Sequence, residues 1–199
     1  MITMLFRNLF LVVVLSFTAT YVQAQTTLFA ESFDNCSIPN SWTNQAKGGD
    51  TNWEIGNCLA LRKTNGTCVA FLNDLTNGSE MQGLLVSSSF DATSVSQLIL
   101  EMDFHFFHKN NATASLVVYT NGQQLVLENF SKDNCQANQL NSKHFTLDIS
   151  KYISSDMRLG IVYNNGGQES GWIAIDNIVV SGGNGTNSTN TQPLLNSFN

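Results

Sequence analysis

The sequence contains few charged residues, and basic residues are scarcer than acidic ones. Charged residues make up 12% of the chain, with 9 Lys and Arg against 15 Asp and Glu. The basic residues form no cluster that displaces counterions from a nucleic acid or attaches to anionic lipid. This absence argues against a nucleic-acid partner, and the abundant Asn, Ser, Thr, Gly and Gln are typical of extracellular β domains that interact through hydrogen bonds.

Long apolar runs are absent after the first two dozen residues. Residues 1–24 have a positive charge at Arg7 and an apolar stretch from Leu9 to Phe17, followed by small residues. This pattern predicts a signal peptide cleaved before Gln25, because the apolar stretch is about half of the roughly 20 residues that cross a bilayer. We therefore expect a secreted chain of about 175 residues without a membrane span, enough for one domain.

Helical periodicity is also nearly absent, and short apolar or alternating runs recur between Asn-Gly, Gly-Gly and Ser-rich breaks. This spacing predicts an all-β, antiparallel β-sandwich or barrel in residues 25–181, followed by a flexible Asn/Ser/Thr-rich tail in residues 182–199. The predicted strands are Thr27–Phe33, Asn52–Ile55, Cys58–Leu61, Thr67–Leu72, Gln82–Val86, Gln97–His108, Ala114–Tyr119, Gln124–Phe130, Lys143–Asp148, Met157–Tyr163 and Gly171–Val180.

Three local patterns give finer predictions. Asn121-Gly122 predicts a tight hairpin, because both residues tolerate the positive φ that a type I′ turn requires. The run Gln97–His108 places five large apolar side chains on one face and Glu101, Asp103 and His105 on the other, which predicts a central strand with one wet face. The segment Ser150–Ser155 is compatible with one helical turn.

The four cysteines are an even number in a chain predicted to be exported, and they indicate two disulfides. Cys58 and Cys68 are close enough in sequence to clip a hairpin, which leaves Cys36 to pair with Cys135. The two other pairings stay open, because sequence alone does not decide between them. A metal-thiolate site is the rival interpretation, but no CxxC spacing is present.

Seven Asn-x-Ser/Thr sequons occur, and in a eukaryotic host several of them are expected to carry glycans at the surface. An Asn-, Ser- and Thr-rich chain also generates sequons by chance. The sites are Asn35, Asn65, Asn77, Asn111, Asn129, Asn184 and Asn187.

Four segments, in this order, resemble the landmarks of MAM-like jelly-roll domains, a group that includes the cleaved-adhesin and "choice-of-anchor" domains of secreted bacterial proteins. They are ESFDNCSIPNSWT at Glu31–Thr43, GGDTNWEI at Gly48–Ile55, LLVSSSFDATSVSQLILEMDFHFF at Leu84–Phe107 and WIAIDNIVV at Trp172–Val180. The resemblance implies a jelly-roll β-sandwich of the galactose-binding or MAM-like type over Thr27–Ser181.

The resemblance also implies a structural calcium ion, held by an acid near the first strand and by the Asp of the last strand. Carried over to this chain, these ligands are Glu31 and Asp176, with the Asp50–Trp53 loop supplying further oxygens. Asn177 stands where many relatives have a second acid, which argues against a second ion. The other interpretation makes Glu31 and Asp176 surface acids at strand ends, and Trp53 itself is expected to pack in the core.

Candidate ligand-binding residues are a loop aromatic and several amides in two predicted loops. Trp42 is the aromatic that we expect to be most exposed, and Trp172 is expected to share a strand face with Ala174 and Asp176. Amides and an aromatic are suited to hydrogen-bonding and stacking on a sugar. The candidates are Trp42, Asn44, Gln45, Asn164, Asn165 and Gln168.

Enzymatic function has one candidate motif, Glu101-Met102-Asp103-Phe104-His105. Laminarinase-type β-glucanases are also β-sandwiches and place a nucleophile and an acid on one strand as E-x-D-x-x-E or E-x-D-x-E. The second Glu is missing here, and retaining hydrolysis needs two suitably placed carboxyl groups. No serine nucleophile elbow, zinc-protease helix, phosphate loop or dinucleotide fingerprint appears.

The sequence therefore predicts a secreted, non-catalytic recognition or adhesion module that binds a glycan or a partner protein, with a structural calcium ion. The alternative is a structural subunit of an extracellular filament, coat or sheath that self-assembles. A glucanase-like glycoside hydrolase is the third hypothesis.

Overall fold

The computed structural model describes residues 25–48, 52–56, 68–74, 80–108, 110–130, 143–168 and 171–184. The strands are β1 (Thr26–Glu31), β2 (Thr43–Lys47), β3 (Glu54–Gly56), β4 (Val69–Asp74), β5 (Gln82–Val86), β6 (Gln97–His108), β7 (Thr113–Thr120), β8 (Gln123–Phe130), β9 (Lys143–Asp148), β10 (Arg158–Asn164) and β11 (Gly171–Gly183). None of the helices in these ranges is long and apolar enough to span a bilayer.

The strands form two antiparallel sheets. The six-stranded sheet has the order β3-β4-β11-β6-β9, with β1 paired to β11, and the five-stranded sheet has the order β2-β5-β10-β7-β8. On one edge of β11, β4 pairs with Gly171–Ile175 and β1 pairs with residues 178–182, so the two strands follow one another along that edge. The predicted antiparallel β-sandwich is confirmed.

The core lies between the sheets and is built by alternation along each strand. The predicted apolar face of β6 is confirmed, because all five of its side chains are at most 4% exposed: Leu98, Leu100, Met102, Phe104 and Phe106. These side chains belong to the same buried cluster as Leu85 of β5, Leu116 of β7 and Ile161 of β10. Apolar residues at every second position thus fix which face of each strand points inward.

The predicted hairpin and helical turn are both present. β7 and β8 pair across Asn121 and Gly122, whose φ angles are 51° and 74°. These positive values are those that a type I′ turn requires and that Asn-Gly adopts with little strain. Ser150–Tyr152 forms one 3₁₀ turn.

One strand was missed by the prediction, and the bounds of several others differ from the predicted ones by a few residues. β2 was not predicted, because its sequence TNQAK contains one apolar residue, Ala46, and gives no alternating signal. β11 continues past the predicted strand end at Val180 to Gly183, because Gly182 pairs with Thr26 and Gly183 pairs with Gln97. The predicted strand Cys58–Leu61 and the predicted leader lie outside the described residues.

The disulfide joins Cys36 to Cys68, whose Cα atoms are 5.3 Å apart. The favoured pairing of Cys58 with Cys68 is therefore wrong. The physical reason is topological: β1 and β4 share one edge of β11, which brings the turn after β1 next to the start of β4. Closeness in the sequence predicted a bond within one hairpin, whereas the observed bond joins the turn after β1 to the residue before β4. Cys58 and Cys135 lie outside the described residues.

Candidate binding site

A groove crosses the outer face of the five-stranded sheet. Alternation places Gln45, Gln82, Leu84 and Val162 on this face, because their neighbours Leu85, Ile161 and Tyr163 point into the core. Gln45 pairs with Leu84, and Leu84 pairs with Val162, so these three side chains form one row across β2, β5 and β10.

We call this feature the amide groove and define it by its lining residues. It has a volume of about 620 Å³ and reaches from β2 to β8, the two edge strands of the sheet. Four strand spacings amount to about 19 Å. The lining residues are Asn44, Gln45, Ala46, Lys47, Asn52, Gln82, Gly83, Leu84, Gln124 and Val162.

The chemistry of the amide groove is that of a polar rim around an apolar floor. Gln45, Gln82 and Gln124 are exposed and offer both donors and acceptors, while Leu84 and Val162 are half-buried. Such a surface suits a ligand with alternating hydroxyl groups and C–H faces, because each group finds a partner of its own kind.

The far end of the same sheet face carries an aromatic ring and a cation. Tyr119 pairs with Gln124 on one side and with Arg158 on the other. The Arg158 guanidinium lies over the Tyr119 ring, 5.5 Å from its centre, in a cation–π contact. Burial raises the pKa of the Tyr119 hydroxyl above its usual value, and the Arg158 charge opposes that rise. Tyr119 therefore remains a neutral hydroxyl at physiological pH.

The two predicted ligand residues on β2 have different environments. Gln45 is exposed and lines the amide groove. Asn44 also borders the groove, but its side chain bonds the backbone of Trp53: Nδ2 donates to the Trp53 carbonyl at 2.8 Å, and the Trp53 N–H donates to Oδ1 at 3.1 Å. Asn44 therefore holds residues 52–53 against β2.

Three further predicted ligand residues lie at the end of β10 and in the loop after it, and none of them lines the amide groove. Asn164 accepts a hydrogen bond from the Gly166 N–H at 2.7 Å. Asn165 is fully buried, and its Oδ1 accepts from the Met81 and Gly167 N–H groups, both at 2.9 Å. Gln168 is exposed. The Asn side chains thus shape the loop.

Trp42, which was expected to be the most exposed aromatic, is half-buried. It packs against the core and contacts two rings, Phe29 at 5.9 Å and Phe33 at 5.5 Å between ring centres. The loop that carries Trp42 turns back toward the sandwich through the Trp42 N–H, which donates to the Pro39 carbonyl at 2.9 Å. Burial of this large apolar ring stabilises the fold.

The predicted calcium ligands are only partly described. Glu31 pairs with Ile178, two residues from Asp176, and Glu31 Oε1 accepts from the Phe33 N–H at 2.7 Å. Asp176 is fully buried and accepts from the Asn177 N–H at 2.8 Å. Trp53 is 2% exposed, which confirms its predicted core position. Asp50 lies outside the described residues.

Calcium takes six to eight oxygen ligands. The described residues contain no group of three or more His, Cys, Asp and Glu side chains placed to hold a metal ion. The described part of the chain therefore does not complete a calcium site, although it brings one end of β1 close to the buried Asp176 of β11.

The candidate catalytic strand lies on the outer face of the six-stranded sheet. Asp103 accepts a hydrogen bond from Asn177 Nδ2 at 2.9 Å and lies 2.9 Å from His144 Nδ1, while His144 Nε2 lies 3.8 Å from Glu101. His105 is 4% exposed and stacks on Trp172 with ring centres 4.5 Å apart, so the predicted wet face is wrong at this position. Trp172 does share a face with Ala174 and Asp176, as predicted.

Four sequon asparagines lie in the described residues, and all four are exposed: Asn35, Asn111, Asn129 and Asn184. Asn129 pairs with Ser115, which pairs with Val162, so it lies on the same sheet face as the amide groove. The other sequons, at Asn65, Asn77 and Asn187, lie outside the described residues.

Sequence reasoning missed most of the amide groove. Lys47, Gln82, Leu84, Gln124 and Val162 line it but were not predicted as binding residues. The available signal was the outward-facing half of each strand alternation, for example Gln82 and Leu84 in β5. This signal identifies faces, but only the order of the strands brings those faces together.

No protein-family model matches the chain, and no curated protein matches it in sequence. Solved structures do match. The K3 cleaved adhesin domain of Lys-gingipain from Porphyromonas gingivalis W83 has a TM-score of 0.56 at 12% identity, over 80% of this chain and 100% of that one. The chain shares the jelly-roll β-sandwich fold of this domain. The predicted fold class is thereby confirmed.

Two further structures share this jelly roll. TmCBM61, a carbohydrate-binding module in complex with β-1,4-galactotriose, has a TM-score of 0.54 at 10% identity, over 75% of this chain and 92% of that one. The enzymatically active domain of bacteriophage CBA120 tailspike protein 4 has a TM-score of 0.50 at 17% identity, over 75% of this chain and 20% of that one. Likeness of fold does not assign a function, which has to be argued from the site.

Proposed function

We propose that the protein is a non-catalytic glycan-binding module and that the amide groove is its binding site. The observation that carries the proposal is the groove itself, about 620 Å³ in volume, with three glutamine side chains around a floor of Leu84 and Val162. Amide groups hydrogen-bond sugar hydroxyls through both their donors and their acceptors. The apolar floor receives the C–H face of a sugar ring without leaving polar groups unpaired.

Rigid placement of the groove residues supports binding. Gln45, Gln82 and Gln124 stand on paired strands rather than on free loops, so binding does not have to order their backbone. Preorganised groups lose less entropy on binding, and more of each contact therefore appears as affinity. The length of about 19 Å favours an oligosaccharide over a monosaccharide.

The comparisons support a binding role by analogy of fold. One structure with this jelly roll is a carbohydrate-binding module bound to a galactotriose, and another is a cleaved adhesin domain. A glucanase has less support than a glycan-binding module. On the outer face of the six-stranded sheet, the side chain of Asp103 contacts His144 and Asn177, and the ring of His105 is covered by Trp172, so neither is free to act on a sugar.

The test is a glycan array probed with the purified protein, followed by titration calorimetry with the best oligosaccharide. The double variant Gln45→Ala/Gln82→Ala removes two amides from the groove and is expected to weaken binding by about tenfold, equivalent to 1.4 kcal/mol. Gln97→Ala is the matched control, because Gln97 is exposed at the start of β6 in the other sheet. A silent array, or equal affinity of the double variant and the wild type, contradicts the proposal.

We also propose that the module acts outside the cell and binds a structural calcium ion. The predicted leader and the Cys36–Cys68 bond support an exported chain, since disulfides persist in oxidising compartments. The pairing of Glu31 with Ile178 supports a cation near Asp176, because it brings a second carboxylate to that part of the β1–β11 pair, and carboxylate oxygens are calcium ligands. Glu31 and Asp176 would hold the ion with oxygens of the Asp50–Trp53 loop, and the ion would fix β1 to β11.

A further inference from the structure

We propose that the glycan bound in the amide groove is anionic, carrying carboxylate or sulfate groups, and that Lys47 recognises its charge. This inference rests on the proposed function of the groove and adds the chemical class of the ligand. It follows from the distribution of charge over the two sheet faces.

Among the described residues that line the groove, Lys47 is the one that carries a charge. It is exposed at the end of β2, and no carboxylate of the described residues lies within ion-pair distance of it. Its ammonium group is therefore available to an external anion, to which it offers three hydrogen-bond donors.

Uncharged donors surround the Lys47 position. Lys47 pairs directly with Gln82, and Gln45 lies two residues away on the same face of β2. An anionic group held by Lys47 thus finds amide N–H groups beside it, while the neighbouring hydroxyls of the sugar reach the amide oxygens. Hydrogen bonds in which one partner is ionised are roughly twice as strong as neutral ones.

The whole sheet face around the groove lacks acids at its described strand positions. The outward positions of β2, β5, β10, β7 and β8 include Lys47 and Arg158 but no Asp or Glu. Glu80 lies two residues before Gln82 of β5 and is not among the described residues that line the groove. An anion on this face therefore meets no carboxylate within the groove.

The opposite sheet face carries the acids. The register places Glu54, Glu101, Asp103 and Asp148 on the outer face of the six-stranded sheet. The full chain has a net charge of −6, so an anionic ligand is repelled by the protein as a whole. The outer face of the five-stranded sheet has two cations and no carboxylate at its described outward strand positions, so an anionic ligand is repelled less there than on the other sheet face.

The experiment compares oligosaccharides that differ only in charge. Cellohexaose and β-1,4-galactotriose are each titrated against the purified protein in the neutral, C6-oxidised and C6-sulfated forms. We expect at least one charged form to bind about tenfold more tightly than its neutral parent. Added salt is expected to reduce this preference, because ions screen exposed charges.

Lys47→Gln removes the cation but keeps an amide, and it is expected to reduce the preference to about twofold or less. Lys151→Gln is the matched control, since it removes the same charge from an exposed lysine in the 3₁₀ turn, outside the groove. Equal affinity of charged and neutral forms that still depends on Gln45 and Gln82 overturns this inference and leaves the proposed function standing. A charge preference that persists in Lys47→Gln also overturns it, and absence of binding by every form overturns both proposals.

Discussion

Replacing Asn165 by alanine tests whether this residue supports the fold or binds a ligand. The strand pair β5–β10 ends at Asn164 and Gln82, and the next residues continue the contact: the Asn165 N–H donates to the Met81 carbonyl at 3.1 Å, while the Met81 N–H donates to Asn165 Oδ1 at 2.9 Å. The Asn165 side chain thus replaces one backbone partner and extends the sheet by one residue pair.

The size of the effect follows from the two donors that Asn165→Ala leaves without this acceptor. Met81 is fully buried, so leaving its N–H without an acceptor is expected to lower the free energy of unfolding by about 1–3 kcal/mol when no water replaces that acceptor. The Gly167 N–H is part-buried and adds about 1 kcal/mol. We expect a loss of about 2–4 kcal/mol in the free energy of unfolding, which lowers the urea midpoint by about 1–2 M.

The assay is equilibrium urea unfolding followed by tryptophan fluorescence, with Asn164→Ala as the control. Asn164 makes one exposed hydrogen bond to Gly166, so its replacement is expected to cost less than about 1 kcal/mol. An Asn165→Ala protein whose stability lies within about 0.5 kcal/mol of the wild type would refute the structural role. Lost glycan affinity with unchanged stability would instead support a role in binding.

Three further predictions concern a covalent bond, a modification and an ion. The Cys36→Ser/Cys68→Ser variant opens a loop with a sequence separation of 32 and is expected to lose about 3–4 kcal/mol of unfolding free energy, measured by urea unfolding; an unchanged midpoint contradicts this. Glycosylation at Asn129 is expected to weaken oligosaccharide binding, because Asn129 lies on the same sheet face as the amide groove. The Asn129→Gln variant, produced in the same glycosylating host, is expected to bind more tightly than the glycosylated wild type. Equal affinities of the two proteins would show that the glycan at Asn129 does not reach the groove. Calcium at a hundred times its dissociation constant is expected to stabilise the protein by about 2.7 kcal/mol, and Glu31→Gln is expected to reduce this gain; equal melting temperatures in calcium and in EDTA exclude the site.

The fold was predictable to the extent that local alternation determines it. β5, β6 and β9 have the bounds that their sequences predicted, because each run alternates apolar and polar residues or ends at a turn. β2 was missed because its outward residues Thr43, Gln45 and Lys47 alternate with the polar Asn44, whose side chain hydrogen-bonds the Trp53 backbone. A polar residue facing inward breaks the pattern on which the prediction depends.

The site was less predictable, because it depends on which strands become neighbours. Gln45 was identified from its residue type alone, whereas Gln124 belongs to the groove only because β8 closes the other edge of the same sheet. The predicted disulfide pairing was wrong for the same reason, since the positions of β1 and β4 along β11 bring Cys36 and Cys68 together. Strand order arises from packing of the complete chain, and short patterns carry little information about it.

The antiparallel pairing of β1 with β11 determines how the domain responds to mechanical force. Thr26 lies opposite Gly182, so the chain enters and leaves the sandwich side by side. Tension applied at Thr26 and Gly182 would load the β1–β11 hydrogen bonds in the unzipping geometry, so that they break one after another from Thr26 onward. Bonds loaded in sequence resist less force than bonds sheared together. If the domain links a ligand to a surface, β1 is therefore the strand that would detach first, and the Cys36–Cys68 bond would stop the peeling at the start of β4.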